Sequence, residues 1–169
     1  GAAWTFFRRG IGSLYGQAAA YDAARRETII FGGRDDAILK SSAWAWKDGE
    51  WSRRPGLGPS KDIATAMVFD DAIGSAVVIS NEGGVLAGTW TLDQDHWRLH
   101  PADIGPKADS GAAVSYDGAR GVVVLFSGAT GETWEWDSVR WKRESTVGPS
   151  IRSGHAMVYD KSRGVTVLF

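Results

Sequence analysis

The chain has 169 residues, with 19 basic and 20 acidic side chains, a formal net charge of −1 and no cysteine. A net charge this small creates no field that would hold nucleic acid, so no nucleic-acid partner is predicted. The lack of cysteine excludes disulfides, thiolate metal ligands and cysteine nucleophiles. The longest strand-forming run, Val122 to Phe126, is far shorter than the roughly 18 apolar residues that cross a bilayer, so no transmembrane segment is predicted.

The chain is rich in tryptophan, and all nine tryptophans fall in a repeating frame. One column of the repeat contains Trp4, Trp51, Trp97 and Trp141; a second contains Trp44, Trp90 and Trp134, with Trp46, Leu92 and Trp136 two residues further on. A third column pairs an aromatic residue with aspartate: Tyr21-Asp22, Phe69-Asp70, Tyr116-Asp117 and Tyr159-Asp160. Successive aspartates of this column lie 43 to 48 residues apart. A period in the forties predicts a propeller or a solenoid.

The predicted elements follow this frame along the chain. An outer strand is expected in 1–10, three four-stranded repeats in 18–54, 65–100 and 112–144, and the first two strands of a fourth repeat in 155–169. The third repeat is the clearest, with strands expected at 112–116, 122–126 and 133–136 and a fourth starting at Trp141. These segments are rich in valine, threonine and aromatic residues and are bounded by glycine, aspartate, serine or proline.

The first two strands of each repeat are joined by a turn that starts with the column aspartate. Glycine follows four residues later in Asp70 to Gly74, Asp117 to Gly121 and Asp160 to Gly164. The carboxylate is expected to accept hydrogen bonds from backbone N–H groups of the turn, and the glycine to adopt a positive φ. The aspartates are therefore predicted to be structural.

Four segments together resemble bacterial kelch-type repeats: Gly-His-Ala-Met-Val-Tyr-Asp (154–160), Val-Thr-Val-Leu-Phe (165–169), Phe-Gly-Gly (31–33) and Thr-Trp-Glu-Trp-Asp (133–137). The resemblance covers essentially the whole chain. It implies a β-propeller of four-stranded antiparallel blades, with the aromatic-Asp strand innermost and the tryptophan strand outermost. The double glycine is intact only at 32–33, so this motif does not define the boundaries of the other blades. The expected fold class is all-β, a kelch-like β-propeller with about three full blades and partial blades at both ends.

The predicted blade number is small for a closed ring. Kelch-like propellers usually have five to eight blades, and closure generally needs at least four. We therefore expect the chain to be a piece of a larger propeller, with self-association or a larger complex that completes the ring as the alternative. The compartment stays open, with a lean toward an extracytoplasmic bacterial protein.

The sequence offers few candidates for catalysis. His155 shares a repeat column with Gln17, Thr65 and Gly111, so we interpret it as a framework residue. His96 and His100 fall across a turn and a strand rather than on a helix, so no metal site is predicted. The carboxylate pairs Asp35-Asp36, Asp70-Asp71 and Asp93-x-Asp95 are interpreted as solvated loop charges and turn caps. No nucleophile elbow, phosphate loop or zincin motif is present, so no catalytic residue and no cofactor are predicted.

The tryptophans could be sugar-stacking platforms, but their periodicity favours packing between blades. A ligand site needs one or two special aromatic residues, whereas identical blades need the same residue in every copy. Trp44 and Trp46, like Trp134 and Trp136, are two residues apart and so share one face of a sheet. They are predicted to contact the neighbouring blade.

Strand direction alternates within a blade, so all short turns are expected on one rim of the propeller and all long links on the other. Function in such scaffolds lies on loops held by a rigid framework. We therefore predict a non-catalytic binding module that contacts a protein, or a glycan, through its long-link rim. The residues predicted to lie on this rim are Arg34, Asp35, Asp36, Lys40, Arg54, Lys61, His100, Lys107, Asp109, Arg143 and Arg152. Two alternatives stay open: a segment of a carbohydrate-active or other propeller enzyme whose catalytic residues lie outside the chain, and an architectural subunit of a larger complex.

Overall fold

The structure is a computed structural model that describes residues 15–35, 38–39, 41–56, 58–59, 63–82, 85–101, 104–106 and 111–169. Within these residues the chain is all-β, with fifteen strands and no helix. In the part of the chain so described, no helix is long and apolar enough to cross a membrane. The outer strand predicted in 1–10 lies outside the described residues.

The strands, in chain order, are β1 (Tyr15–Asp22), β2 (Glu27–Asp35), β3 (Ile38–Leu39), β4 (Ala43–Lys47), β5 (Glu50–Arg54), β6 (Ile63–Asp70), β7 (Ser75–Glu82), β8 (Val85–Asp93), β9 (His96–His100), β10 (Ala112–Asp117), β11 (Val122–Ser127), β12 (Thr133–Trp136), β13 (Trp141–Ser145), β14 (Met157–Asp160) and β15 (Val165–Leu168). In the third repeat the four strands begin where the sequence predicts them. The two-residue strand β3 was not predicted; it forms because β2 continues through Gly32 and Gly33 to Asp35, which gives Ile38 and Leu39 a partner.

Each repeat folds into one sheet in which consecutive strands pair antiparallel. We call these sheets blade 1 (β1-β2-β4-β5, with β3 beside β2), blade 2 (β6-β7-β8-β9), blade 3 (β10-β11-β12-β13) and blade 4 (β14-β15). The first strands of the blades lie side by side, with β6 between β1 and β10, and β10 between β6 and β14. Four-stranded antiparallel sheets that pack face to face through adjacent first strands make this fold a β-propeller, as the sequence predicts.

The core lies between the blades. One cluster joins Ile29 and Phe31 of blade 1 to Met67, Phe69 and other residues of blade 2. The other joins Val77 and Ile79 of blade 2 to the following side chains of blade 3: Val123, Leu125, Trp134, Trp136 and Trp141. The run 76–79 is fully buried because alternate side chains of β7 enter the two clusters on opposite faces. The prediction that Trp134 and Trp136 contact the neighbouring blade is confirmed.

The aspartate turns also form as predicted. Asp117 accepts hydrogen bonds at Oδ1 from the N–H groups of Ala119 (3.0 Å) and Arg120 (3.2 Å). Gly74, Gly121 and Gly164, four residues after the aspartates, have φ between 64° and 67°. In blade 1 the same position is occupied by Arg26, whose φ is 56°. The turn therefore imposes the left-handed conformation even where glycine is missing.

Candidate functional site

The two rims of the propeller differ in the length of the connections between their strands. The short-turn rim consists of the turns 23–26, 48–49, 71–74, 94–95, 118–121, 137–140 and 161–164. The long-link rim carries the remaining connections, which the structure describes most fully at 128–132 and 146–156 of blades 3 and 4. Of the residues predicted for a site, Asp36, Lys40, Lys61, Lys107 and Asp109 lie outside the described residues. Arg34 and Asp35 are described as backbone at the end of β2.

Arg54, at the end of β5, joins blade 1 to blade 2. Its Nη2 forms a short ion pair with Oε1 of Glu27, and its Nη1 lies 3.8 Å from Oδ1 of Asp95 in blade 2. The Glu27 side chain is almost fully buried, and that of Arg54 is mostly so. The guanidinium is thus engaged between blades and faces the framework.

His100 lies between blades 2 and 3. Its Nε2 is 3.0 Å from Oγ1 of Thr91, and its ring packs edge-on against Trp136 with centroids 5.4 Å apart. Burial, together with the nearby charge of Arg98, lowers the pKa of His100 below its ordinary value. A neutral imidazole that packs against tryptophan stabilises the joint between these blades.

Arg143 lies at the long-link rim of blade 3. It donates a hydrogen bond to Oε1 of Glu132 at 3.0 Å, and its guanidinium lies 5.9 Å from the centre of the Trp134 ring. Burial raises the pKa of Glu132, but hydrogen bonds from Trp134, Arg143 and Thr130 outweigh it and hold that pKa below its ordinary value. Arg143 and Glu132 therefore form a charged pair at the base of this rim.

The links 128–132 and 146–156 are held against each other by their backbones. The N–H of Gly128 donates to the carbonyl of Gly111 (3.2 Å), and the N–H of Arg152 donates to the carbonyl of Gly128 (3.0 Å). A Cβ at position 128 would lie 2.1 Å from the carbonyl oxygen of Arg152, so only glycine fits. His155 packs edge-on against Phe126 with centroids 5.2 Å apart and contributes to the framework here.

The same rim carries exposed aliphatic side chains that sequence reasoning passed over. Val147 is 86% exposed, Ile151 68% and Ile104, after blade 2, 69%. The residues predicted for these links were charged ones. The signal that could have found the aliphatic ones is a β-branched residue in a Gly-, Pro- and Ser-rich link, where no strand buries it. Arg152 follows Ile151 in the same link, and its Nε lies 3.1 Å from the carbonyl oxygen of Ser150.

A cavity of about 680 Å³ opens at the short-turn rim, where the first strands of all four blades converge. We call it the bowl. Each blade contributes the same two repeat positions to it: the aromatic residues Tyr21, Phe69, Tyr116 and Tyr159, and the residues that follow the turn aspartates, Ala23, Asp71, Gly118 and Lys161. The remaining lining residues are mostly small or apolar side chains of the first strands. Both framework columns are visible in the sequence, but nothing in their pattern predicts that they surround a cavity.

The tyrosines of the bowl reach back to the preceding blade. The hydroxyl of Tyr116 accepts a hydrogen bond from the N–H of Ala72 at 3.1 Å, and burial followed by the charge of Asp70 raises the pKa of Tyr116. Burial and a hydrogen bond with Asp117 likewise raise the pKa of Tyr159. Tyr21 belongs to the first blade of the described chain and is 56% exposed. The phenols of Tyr116 and Tyr159 are therefore neutral near pH 7, and both residues line the bowl.

Neighbouring carboxylates in the sequence have different roles in the fold. Asp70 is fully buried and caps its turn through the N–H groups of Ala72 and Ile73, whereas its neighbour Asp71 is exposed. Among the described residues, no three histidine, aspartate or glutamate side chains are grouped so that they could hold a metal ion. The arrangement provides surfaces and a cavity for binding.

No protein-family model matches the chain, and no curated protein matches it. Among solved structures, one described as "YCF48 bound to D1 peptide" is similar to this chain, with 15% identity and a TM-score of 0.49. The similarity covers 86% of this chain and 43% of that one, so the chain spans less than half the length of the solved protein. At this level the likeness carries no argument, and the assignment to the β-propellers depends on the sheets themselves.

Proposed function

We propose that this protein is a non-catalytic binding module, a kelch-like propeller that holds a protein partner on its long-link rim. The proposal is supported by the turn aspartates, which recur in every blade and form hydrogen bonds and ion pairs inside the framework. Asp22, Asp117 and Asp160 each cap a turn and bind an arginine. The links of the rim differ from blade to blade in length and composition, which is where a scaffold acquires specificity.

The observation that carries the proposal is the pair of exposed aliphatic residues on the link 146–156. Val147 and Ile151 are 86% and 68% exposed, and the backbone beneath them is fixed by the contact with Gly128. Apolar side chains at the centre and charged groups around them are the composition of a protein interface. Arg143 and Arg152 supply the charges. Aliphatic side chains offer no flat ring for a sugar, so a protein partner is favoured over a glycan.

The experiment is site-specific photo-crosslinking. A photoreactive amino acid is placed at Val147 or at Ile151, and as a matched control at Val139, which is 74% exposed on the short-turn rim. Irradiation in the native cells is expected to give the same discrete crosslinked protein from positions 147 and 151 and not from 139. An adduct that forms equally from all three positions, or only from 139, contradicts the proposal.

A second variant tests the energetic role of the surface. The double substitution Val147→Asp and Ile151→Asp places charges at exposed positions, so the free energy of unfolding is expected to change by less than about 0.5 kcal/mol. Binding of the crosslinked protein, once it is purified, is expected to weaken at least tenfold, because charges at an interface core remain unpaired. Unchanged affinity of this folded variant would show that the partner binds elsewhere.

A further inference from the structure

The bowl lies on the rim opposite to the proposed protein interface. One of the two repeat positions that line it carries a different residue in each blade. The residue after the turn aspartate is Ala23 in blade 1, Asp71 in blade 2, Gly118 in blade 3 and Lys161 in blade 4. The aspartate itself and the aromatic residue before it are kept in every blade. A constant framework with a variable position around one cavity is how a repeat protein forms a site with its own chemistry.

The blade 2 side of the bowl is negative. In the other three blades the turn aspartate pairs with an arginine three residues later: Arg25, Arg120 or Arg163. Blade 2 has Ile73 at this position, and Asp70 accepts a hydrogen bond from the Ser138 hydroxyl instead. Asp71 adds a second carboxylate, which forms no hydrogen bond or ion pair with any other described residue. The guanidinium of Arg25 reaches the carbonyl of Gly74 nearby at 3.4 Å but is paired with Asp22 at 2.7 Å.

The blade 4 side carries the opposite charge. Asp160 is paired with Arg163, so the ammonium group of Lys161 is the excess charge of that turn. Lys161, like Asp71, is exposed and makes no hydrogen bond or ion pair with another residue of the described chain. Between the two turns lies blade 3, where Gly118 contributes no side chain. One carboxylate and one ammonium group therefore border the same cavity from two different blades.

The wall between these charges is aromatic and apolar. The rings of Tyr116 and Tyr159 come from blades 3 and 4, and Met67 and Phe69 come from blade 2. Tyrosine faces attract an organic cation that lies above them. A volume of about 680 Å³ falls within the range of small-molecule sites, which combine apolar walls with a few polar groups that set orientation.

From this arrangement we propose that the bowl binds a small zwitterion: a molecule with an ammonium or guanidinium group at one end, an anionic group at the other and an apolar body between them. The cation lies toward Asp71, and the anion toward Lys161. The apolar body packs on the tyrosine rings. This site is independent of the long-link rim, so either proposal can fail while the other stands.

Three probes with one common body test the assignment. They are 4-(aminomethyl)benzoate, which carries both charges, benzylammonium, which carries the cation alone, and benzoate, which carries the anion alone. Binding is followed by ligand-observed NMR with the whole chain. The zwitterion is expected to bind with a dissociation constant of about 1 mM, a typical affinity for a molecule of this size with two weak ion pairs. Benzylammonium is expected to bind more weakly, and benzoate most weakly.

Two substitutions then separate the ends of the ligand. Asp71→Asn is expected to weaken the zwitterion and benzylammonium about fivefold and to leave benzoate unchanged, as for one exposed ion pair. Lys161→Met is expected to weaken the zwitterion and benzoate and to spare benzylammonium. The matched controls Asp48→Asn and Lys47→Met change exposed charges at the edge of the same rim outside the bowl and are expected to have no effect. Equal binding of the three probes, no binding at all, or variants that do not discriminate between them would overturn the proposal.

Discussion

The hydroxyl of Ser138 donates a hydrogen bond to Oδ2 of Asp70 at 3.1 Å, and so connects a turn of blade 3 to a turn of blade 2. In blades 1, 3 and 4 the equivalent carboxylate oxygen is bound by an arginine of its own turn. Blade 2 has lost that arginine, and the partner comes from the next blade. The exchange turns a local cap into a contact between blades, and it leaves Asp70 without the arginine partner of the other three turn aspartates.

Replacement of Ser138 by alanine is expected to lower the free energy of unfolding by about 1 to 2 kcal/mol, because a fully buried carboxylate loses a hydrogen bond. Urea unfolding followed by tryptophan fluorescence measures the change. Alanine keeps the Cβ of serine at this position, where φ is 73°, so both residues carry the backbone strain and the difference reports mainly the hydroxyl.

A second substitution restores the arrangement of the other blades. Ile73→Arg places an arginine three residues after Asp70, and Ile73 is exposed enough to accept it. In the Ser138→Ala background this change is expected to recover at least half of the lost stability, whereas in the native background it should have little effect. A rescue that is equal in both backgrounds would mean that Ser138 and the new arginine do not share the carboxylate.

Arg26 occupies the turn position that is glycine in the other three blades, yet its backbone keeps the same left-handed conformation. Its φ of 56° is that of the glycines at the same repeat position in the other three blades. Arg26→Gly is expected to raise the free energy of unfolding by about 1 kcal/mol, since a non-glycine residue is strained in this region. Gly121→Ala in blade 3 serves as the mirror control and should lower it by a similar amount. Thermal unfolding measured by circular dichroism distinguishes the two signs.

The sequence predicted those features that every blade must satisfy on its own. The aspartate–glycine turns, the strands of the third repeat and the contacts of Trp134 and Trp136 with the neighbouring blade follow from local propensity and from the period, and the structure confirms them. The bowl could not be predicted, because it exists only where side chains of four blades converge. Asp71 and Lys161 are 90 residues apart, and nothing in the local pattern of either shows that they border one cavity. The ion pair of Arg54 with Glu27 was missed because the two residues are 27 positions apart, and the local charge pattern of neither one shows that they meet.

Packing between blades is expected to dominate stability. Trp141 is 5% exposed, packs in the cluster between blades 2 and 3, and donates its Nε1–H to Oγ1 of Thr89 at 2.7 Å. Trp141→Ala should lower the free energy of unfolding by about 3 to 5 kcal/mol. Trp51, its repeat equivalent on blade 1, is only half-buried, so Trp51→Ala should cost less than half as much. If urea unfolding shows that both substitutions lower the free energy of unfolding equally, the cluster between blades 2 and 3 does not dominate stability.

His100 gives the protein a pH dependence near neutrality. Burial and Arg98 lower the pKa of His100, so the folded state binds a proton less readily than the unfolded chain does. The contribution of a neutral His100 is therefore complete above the unfolded pKa of about 6.5 and is lost as the pH falls toward the lower folded value. Urea unfolding between about pH 7 and 5 should show this slope, and His100→Gln should remove it. A slope that survives the substitution unchanged would show that His100 is not its source.

A second, acid-dependent loss of stability is expected from the turn aspartates. Hydrogen bonds from Ser162 and Arg163 lower the pKa of Asp160 to about 2, and hydrogen bonds from Arg120 and Ala119 outweigh burial and lower the pKa of Asp117. A depressed folded pKa stabilises the protein above the unfolded value, and this stabilisation disappears as the pH falls from about 4 toward 2. Asp117→Asn should lower the free energy of unfolding by about 2 kcal/mol at pH 7. It should also make the unfolding midpoint fall less steeply as the pH decreases below about 4. The exposed Asp71, changed to asparagine, is the control and should leave both the midpoint and the slope as they are. If Asp71→Asn flattens the acid limb as much as Asp117→Asn does, the turn caps are not the source of the acid sensitivity.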